Sequence, residues 1–288
     1  MNTNEFPVDD DYIHLVMFLL VSEARNLKSA DSINNMIDFT VKRAAKAHLN
    51  FKDVDLEEFK IEMNEPAVLN IKMALECTPI VLDLEPLLIV EQTNAGRFIT
   101  SDNPVVRHNS FYRSKNYRGG FGYVTRGLQL FFPISPHKCI LLYDKLAYDI
   151  PGANNEVLIL KRGRDVDQLN EFFYLNAYNN VFFDQKTKKE YIEGIHYKNN
   201  RTPKIKELKR EVAAYRSADS NSELLHYSQN KVSKNINFSW IKNSQFANGL
   251  KIPSHMGGIV RSESPYVREA LEKEKAIFAS ANSLNNKR

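Results

Sequence analysis

The sequence predicts an α+β protein: an N-terminal helical layer packed on a small, mostly antiparallel sheet, with a helical C-terminal extension. Two observations carry this. Up to about residue 80, apolar residues recur at helical spacing. Beyond that point come short apolar runs rich in β-formers, each bounded by turn residues. A third observation, the return of helical spacing after residue 160 and again near residue 265, places helices over and beyond the sheet.

Each element follows in order. Asp9, Asp10 and Asp11 put negative charge where a helix N-terminus favours it. The next run, YIHLVMFLLV (12–21), is apolar almost all round, which predicts a helix covered on both faces. His14 within it reads as a core histidine bonded to a carbonyl. A second helix, SINNMIDFTVKRAAKAHL (32–49), sets Ile33, Ile37 and Val41 one turn apart, and a third runs through Glu65 to Cys77. Then PLLIVEQ (86–92), RFITSD (97–102), LQLFF (128–132), CILLY (139–143) and VLIL (157–160) read as strands. Asn94-Ala-Gly96, Asn103-Pro104, Gly119-Gly120 and Ser135-Pro136 supply the turns. Asp165 predicts the cap of the next helix, with Gln168 three residues on and Val166, Leu169, Phe173 and Ala177 along one face. Residues 217–237 are polar and read as loop. Ser264 as cap and Pro265 in the first turn open a last helix through Val267, Leu271 and Ile277. The organisation predicted is a core over residues 1–185 and a basic extension over 186–288.

The composition is that of an ordinary soluble globular chain, 43% hydrophobic and 26% charged over 288 residues. A net charge of +4 is too mild to identify a nucleic-acid partner by itself. Cys77 and Cys139 stand far apart without metal spacing, which suits a reducing cytoplasm. The acidic start MNTNEFPVDDD is unlike a signal peptide, and the run 12–21 is about half the length a membrane span needs. A cytoplasmic protein with no membrane contact is expected.

The positive charge is concentrated. Residues 186–216 hold ten Lys or Arg against four Glu. Tyr191, His196, Tyr197 and Tyr215 interleave with these cations, the combination that single-stranded nucleic acid binding uses. The other reading is a solvated face. If the segment binds nucleic acid, Lys188, Lys189, Lys198, Arg201 and Lys206 are the expected contacts; a partner protein is the alternative ligand.

The familiar catalytic motifs are missing. There is no GxxxxGK[ST], HExxH, paired CxxC or GxSxG, and GGFGYVTRG fails GxGxxG because Thr125 stands at the third glycine. No cofactor is indicated; a divalent metal held by distant carboxylates stays open.

One stretch gathers polar groups at a strand end. FITSDNPVV (98–106) presents Thr100, Ser101, Asp102 and Asn103 on one loop. As turn chemistry, the Asx side chains bond nearby backbone and Pro104 starts the return strand. As a catalytic site, Asp102 would be a general base or metal ligand, with Ser101 and Asn103 orienting a substrate beside Thr100. Ser135-Pro136-His137-Lys138 reads as a tight hairpin corner, yet Ser135 or His137 would approach Asp102 if the two turns share one sheet edge. Arg25 lies eleven residues after His14, about three turns, so a buried Arg25 near Asp102 would be an ion pair or an anion clamp.

FITSDNPVV, then FFPISPHKCILLY, then VDQLNEFFYLNAYNNVFF, in that order, resembles the family catalogued as domain of unknown function 4238. The resemblance covers roughly residues 10 to 185. That family usually begins with a His-x-Val-Pro segment, which this chain does not have, and often carries Arg-Thr-Pro where this chain has Glu23-Ala-Arg25-Asn26. The resemblance implies a bacterial, fungal or phage cytoplasmic protein of unassigned biochemistry, and some relatives are associated with bacterial defence against phage. Two functions are therefore expected: an effector-like hydrolase or nuclease of a bacterial conflict system, or a non-catalytic protein binding a partner or nucleic acid through its basic region.

Overall fold

A computed structural model describes residues 10–46, 54–93, 96–117, 119–208, 210–216, 223–229, 232, 234–252 and 258–285. The architecture is α+β. Helices α1 (Asp10–Ala24), α2 (Leu27–Lys46), α3 (Pro66–Glu76) and the short α4 (Thr78–Val81) form the N-terminal layer. Tyr12, Val16, Leu19 and Leu20 of α1 share a face and pack with Val81, Leu84, Leu128, Leu130 and Leu142. The opposite face is not covered: His14 is exposed and Phe18 is 54% exposed. The expectation of a helix buried all round is thus corrected, because among the described residues α1 packs into the core through one face only. Glu23, at the end of α1, is buried and accepts from Arg107 Nε (2.6 Å) and Tyr123 Oη (2.9 Å). That ion pair ties the helical layer to the sheet.

The sheet is built on β1 (Glu85–Glu91). After it come β2 (Thr100–Ser101), β3 (Val106–His108), the one-turn α5 (Ser110–Ser114), β4 (Gln129–Ser135), β5 (Lys138–Tyr143), β6 (Tyr148–Asp149), β7 (Ala153–Asn154) and β8 (Val157–Leu160). The main sheet runs β3-β4-β5-β1-β8-β7. Every pairing is antiparallel except β1 with β8, where Glu91 faces Leu160. Between β4 and β5 only Pro136 and His137 remain as a loop, since Ser135 pairs with Lys138. The expected strand at 97–102 is extended only at Thr100–Ser101, and it leaves the main sheet to pair with β9 (Val181–Phe182).

Helix α6 (Gly163–Asn176) covers the inner face, burying Val166, Leu169, Phe172 and Phe173. Its cap position is Arg162, so the predicted cap is corrected. Asp165 sits within the first turn, where it accepts from Ser239 Oγ at 2.6 Å and its charge suits the helix end. Beyond β9 come α7 (Lys189–Lys198), β10 (Arg210–Arg216), β11 (Glu223–Gln229), β12 (Lys242–Asn243), α8 (Gln245–Gly249) and α9 (Pro265–Asn285). Strands β10 and β11 form one antiparallel hairpin with Arg210 opposite Gln229, so the loop expected from residue 217 holds a strand at 223–229. Polar composition hid it, because a ladder needs only main-chain donors and acceptors. Residues 217–222 lie outside the described residues. Strand β12 pairs with β6. Ser264 does cap α9, its Oγ accepting from Val267 N.

The core crosses residue 185. Phe238 and Trp240 stack with Phe131 of β4, at centroid distances of 5.3 and 6.4 Å, and Phe238 also meets Phe172 of α6. Two arginines pin the same region, each 2% exposed or less. Arg126 grips Asp144 with two bonds (2.9 and 3.0 Å) and also meets Glu263. Arg261 grips Asp83 with two more, both 2.8 Å. The Arg261 pair is a true fork through Nε and Nη2 and fixes that guanidinium, whereas Arg126 reaches both Asp144 oxygens from Nη1 alone and its Nε is buried with no partner among the described residues. Among the described residues, no helix is long and apolar enough to cross a membrane.

Candidate functional site

The Thr100–Asn103 stretch is drawn together, but around main chain. Asp102 Oδ1 accepts from Tyr178 N (2.9 Å), and Oδ2 accepts from Asn179 N (2.8 Å) and Asn180 N (3.0 Å). Asn103, 1% exposed, donates from Nδ2 to the Asn176 carbonyl at 2.8 Å, one of the orphan carbonyls of the last turn of α6. Its Oδ1 accepts from Asn26 Nδ2 at 2.9 Å. Ser101 Oγ closes the turn, donating to the Asn103 carbonyl (3.0 Å) and accepting from Asn103 N (3.1 Å). The stretch therefore fastens the end of α6 to the turn between α1 and α2. Arg25 is exposed, and the residue of that turn which reaches the stretch is Asn26.

The two corners do approach, through other residues. His137, at the tip of the β4–β5 hairpin, meets Glu91 Oε1 with Nδ1 at 2.5 Å and Arg97 Nη1 with Nε2 at 2.7 Å. The same Arg97 nitrogen donates to Asp184 Oδ2 at 2.7 Å. Ser135 Oγ accepts from His137 N at 3.2 Å and shapes the corner. Glu91 is 4% exposed, and its Oε2 accepts from both Thr93 N (2.9 Å) and Thr93 Oγ1 (3.1 Å). An ionised carboxylate only accepts and a guanidinium only donates. These partners therefore assign the neutral imidazole a proton on Nδ1 and a lone pair on Nε2.

The chain of groups opens on a cleft of about 570 Å³ lined by Glu91, Arg97, His137, Lys186, Lys188 and Tyr191, with Gly96, Thr93 and Thr187 between them. It lies at the carboxyl end of β1, the strand paired in parallel with β8. Buried Asn170 of α6 braces the cleft's lining from behind. Its Oδ1 accepts from Ile99 N (3.0 Å), while its Nδ2 donates to the Arg97 carbonyl (2.7 Å) and to Tyr191 Oη (3.0 Å). Tyr191 donates onward to Asp167 at 2.7 Å. These two bonds hold the Tyr191 hydroxyl in the wall, and burial raises its phenol above the ordinary value. The Lys186 amide and the neighbouring Arg97 hold the Asp184 carboxyl below its usual range.

Of the basic residues singled out in the sequence, Lys188 faces this cleft with His137. Lys189 and Arg201 are exposed. Lys198 is engaged by Glu171 (2.8 Å), and Lys206 meets Asn179 Oδ1 and the Tyr178 ring. Thr100 lines a second, apolar cavity with Ser135, and its Oγ1 is buried with no partner among the described residues. Glu91 had a visible signal. Leu87, Ile89 and Glu91 are buried at alternate positions of β1, and a carboxylate third in such a row needs a partner. Arg97 and Asp184, 87 residues apart, had none. Among the described residues, no three His, Cys, Asp or Glu side chains converge as a metal-ligand set.

No curated protein and no solved structure matches the chain. Among known families, the one described as protein of unknown function (DUF4238) matches residues 12–187. That stretch holds Glu91, Arg97, Asn170, His137 and Asp184, and it is more than half of the 288 residues, so the chain belongs to the DUF4238 family.

Proposed function

We propose that the chain is a hydrolase of phosphate-bearing substrates, with His137 as general base. The observation that carries this is the Glu91–His137–Arg97 hydrogen-bond chain, 2.5 and 2.7 Å long, opening on a cleft that also holds Lys186 and Lys188. Buried Glu91 orients the imidazole through Nδ1 and stabilises the imidazolium once it forms. Arg97 occupies the Nε2 lone pair until an anion arrives. A phosphoryl oxygen then takes over the guanidinium and frees Nε2. Nε2 accepts a proton from a water whose oxygen bonds to phosphorus. The bond from phosphorus to the leaving oxygen breaks, and that oxygen receives the proton back from the imidazolium. Arg97, Lys186 and Lys188 stabilise the charge gathered on the phosphoryl oxygens. An activity of this kind fits the effector role expected from defence-associated relatives.

The test is turnover of bis(p-nitrophenyl) phosphate, p-nitrophenyl phosphate and single-stranded oligonucleotides, with and without Mg²⁺ or Mn²⁺. His137→Gln, which keeps a group able to donate to Glu91, should lower kcat about 10²- to 10⁴-fold while thermal melts show the variant folded. Wild-type rates in that variant would remove His137 from the reaction. Salt-dependent binding of oligonucleotides with no turnover by the native chain would instead support the non-catalytic binding protein.

A further inference from the structure

The Arg97–Asp184 ion pair is a partition between two unlike spaces. On one side is the cationic cleft. On the other is an apolar cavity of about 290 Å³ walled by Phe98, Ile134, Pro136, Phe182 and Phe183, with Asp184 at its edge. The walls are chain neighbours of the catalytic groups: Phe98 follows Arg97, and Pro136 precedes His137. Both spaces are therefore held by the same hairpin corner and the same segment. Phe182 is 53% exposed, Phe183 44% and Ile134 45%. Large apolar side chains left open around a concavity gain when a ligand covers them, and a planar ring brings the apolar face that aromatic side chains pack against. A ligand suited to both spaces carries an anion at one end and a planar heterocycle at the other.

We infer that the substrate is a nucleoside phosphate, its phosphate among Arg97, Lys186 and Lys188 and its base in the cavity of Phe182 and Phe183. This rests on the phosphate-binding reading of the cleft and narrows it from phosphate compounds in general. The base must be unstacked to enter, so free nucleotides and single-strand ends qualify and duplex interiors do not. Asp184 stands where a base amino group would find an acceptor.

The test is calorimetric binding of ribose 5-phosphate, AMP, UMP and a short single-stranded oligonucleotide to the full chain, with Phe182→Ala, Phe183→Ala and the double variant. Both rings are exposed, so the variants should fold, and thermal melts check this. AMP should bind about tenfold or more tightly than ribose 5-phosphate, the increment of base stacking. The double variant should erase that difference and leave ribose 5-phosphate binding unchanged. Ribose 5-phosphate binding as tightly as AMP would overturn the base site while leaving the cleft reading in place. Failure of every phosphate to bind would overturn both. The oligonucleotide arm separates the sources: binding at a 5′-phosphorylated end with none of the free nucleotides would assign the site to strand ends.

Discussion

His108 of β3 lies between Phe172 and Phe238, with ring centroids 5.1 and 5.5 Å away, and is 3% exposed. Burial, with Arg113 nearby as the lesser cause, pushes its pKa down to about 3. In the unfolded chain the same imidazole takes a proton near 6.5. Between these values the unfolded state binds the extra proton, so stability is fully present above 6.5 and falls as the pH drops toward 3. The slope is at most about 1.4 kcal/mol per pH unit. Urea titrations at pH 7 and pH 5 should therefore show wild type losing roughly 2 kcal/mol more than His108→Phe. Equal losses would mean that the folded ring protonates as easily as the free one. His14 shows the reverse error: its apolar neighbours in sequence predicted burial, and the helix turns it to solvent.

At the scale of elements, the Ser-Asp-Asn turn is a fastener. Asp102→Ala would leave the amides of Tyr178, Asn179 and Asn180 without their carboxylate, at a cost of about 1–3 kcal/mol, moderated where water reaches them. The midpoint of denaturant unfolding should fall, while turnover per folded molecule stays close to wild type. A large loss of turnover at unchanged stability would return Asp102 to the reaction. The turn was legible but its bonds were not: the local one is made by Ser101 Oγ, whereas the Asp102 and Asn103 side chains reach main chain at residues 176–180. The corner at Ser135–Lys138 was legible too, because a two-residue loop between apolar runs has few other geometries. The proposed catalytic grouping was legible only in part. Glu91 broke the pattern of its own strand, whereas Arg97 meets His137 across 40 residues and Asp184 across 87, and nothing local encodes such meetings. Strand β11 was missed for a related reason: its partner β10, not its composition, makes it a strand.

Across the whole molecule, the helical layer, sheet and C-terminal helix follow the α+β expectation, but the inner sheet face is completed by residues far beyond the family match. Phe238, Trp240 and Ile241 join the same core as Phe131 and Phe172. Arg261 neutralises Asp83 from the C-terminal side. A fragment of residues 1–187 would bare the aromatic face and leave Asp83 without its guanidinium, and losing one partner of a buried ion pair alone costs about 3–5 kcal/mol. The fragment should bind ANS and melt without a cooperative transition; a sharp two-state melt would show that the shorter piece stands alone. The shared core has a consequence for kinship. Any relative that ends near residue 187 must roof this hydrophobic floor differently, with a replacement segment or a sister subunit, and divergence within the family should concentrate in that roof.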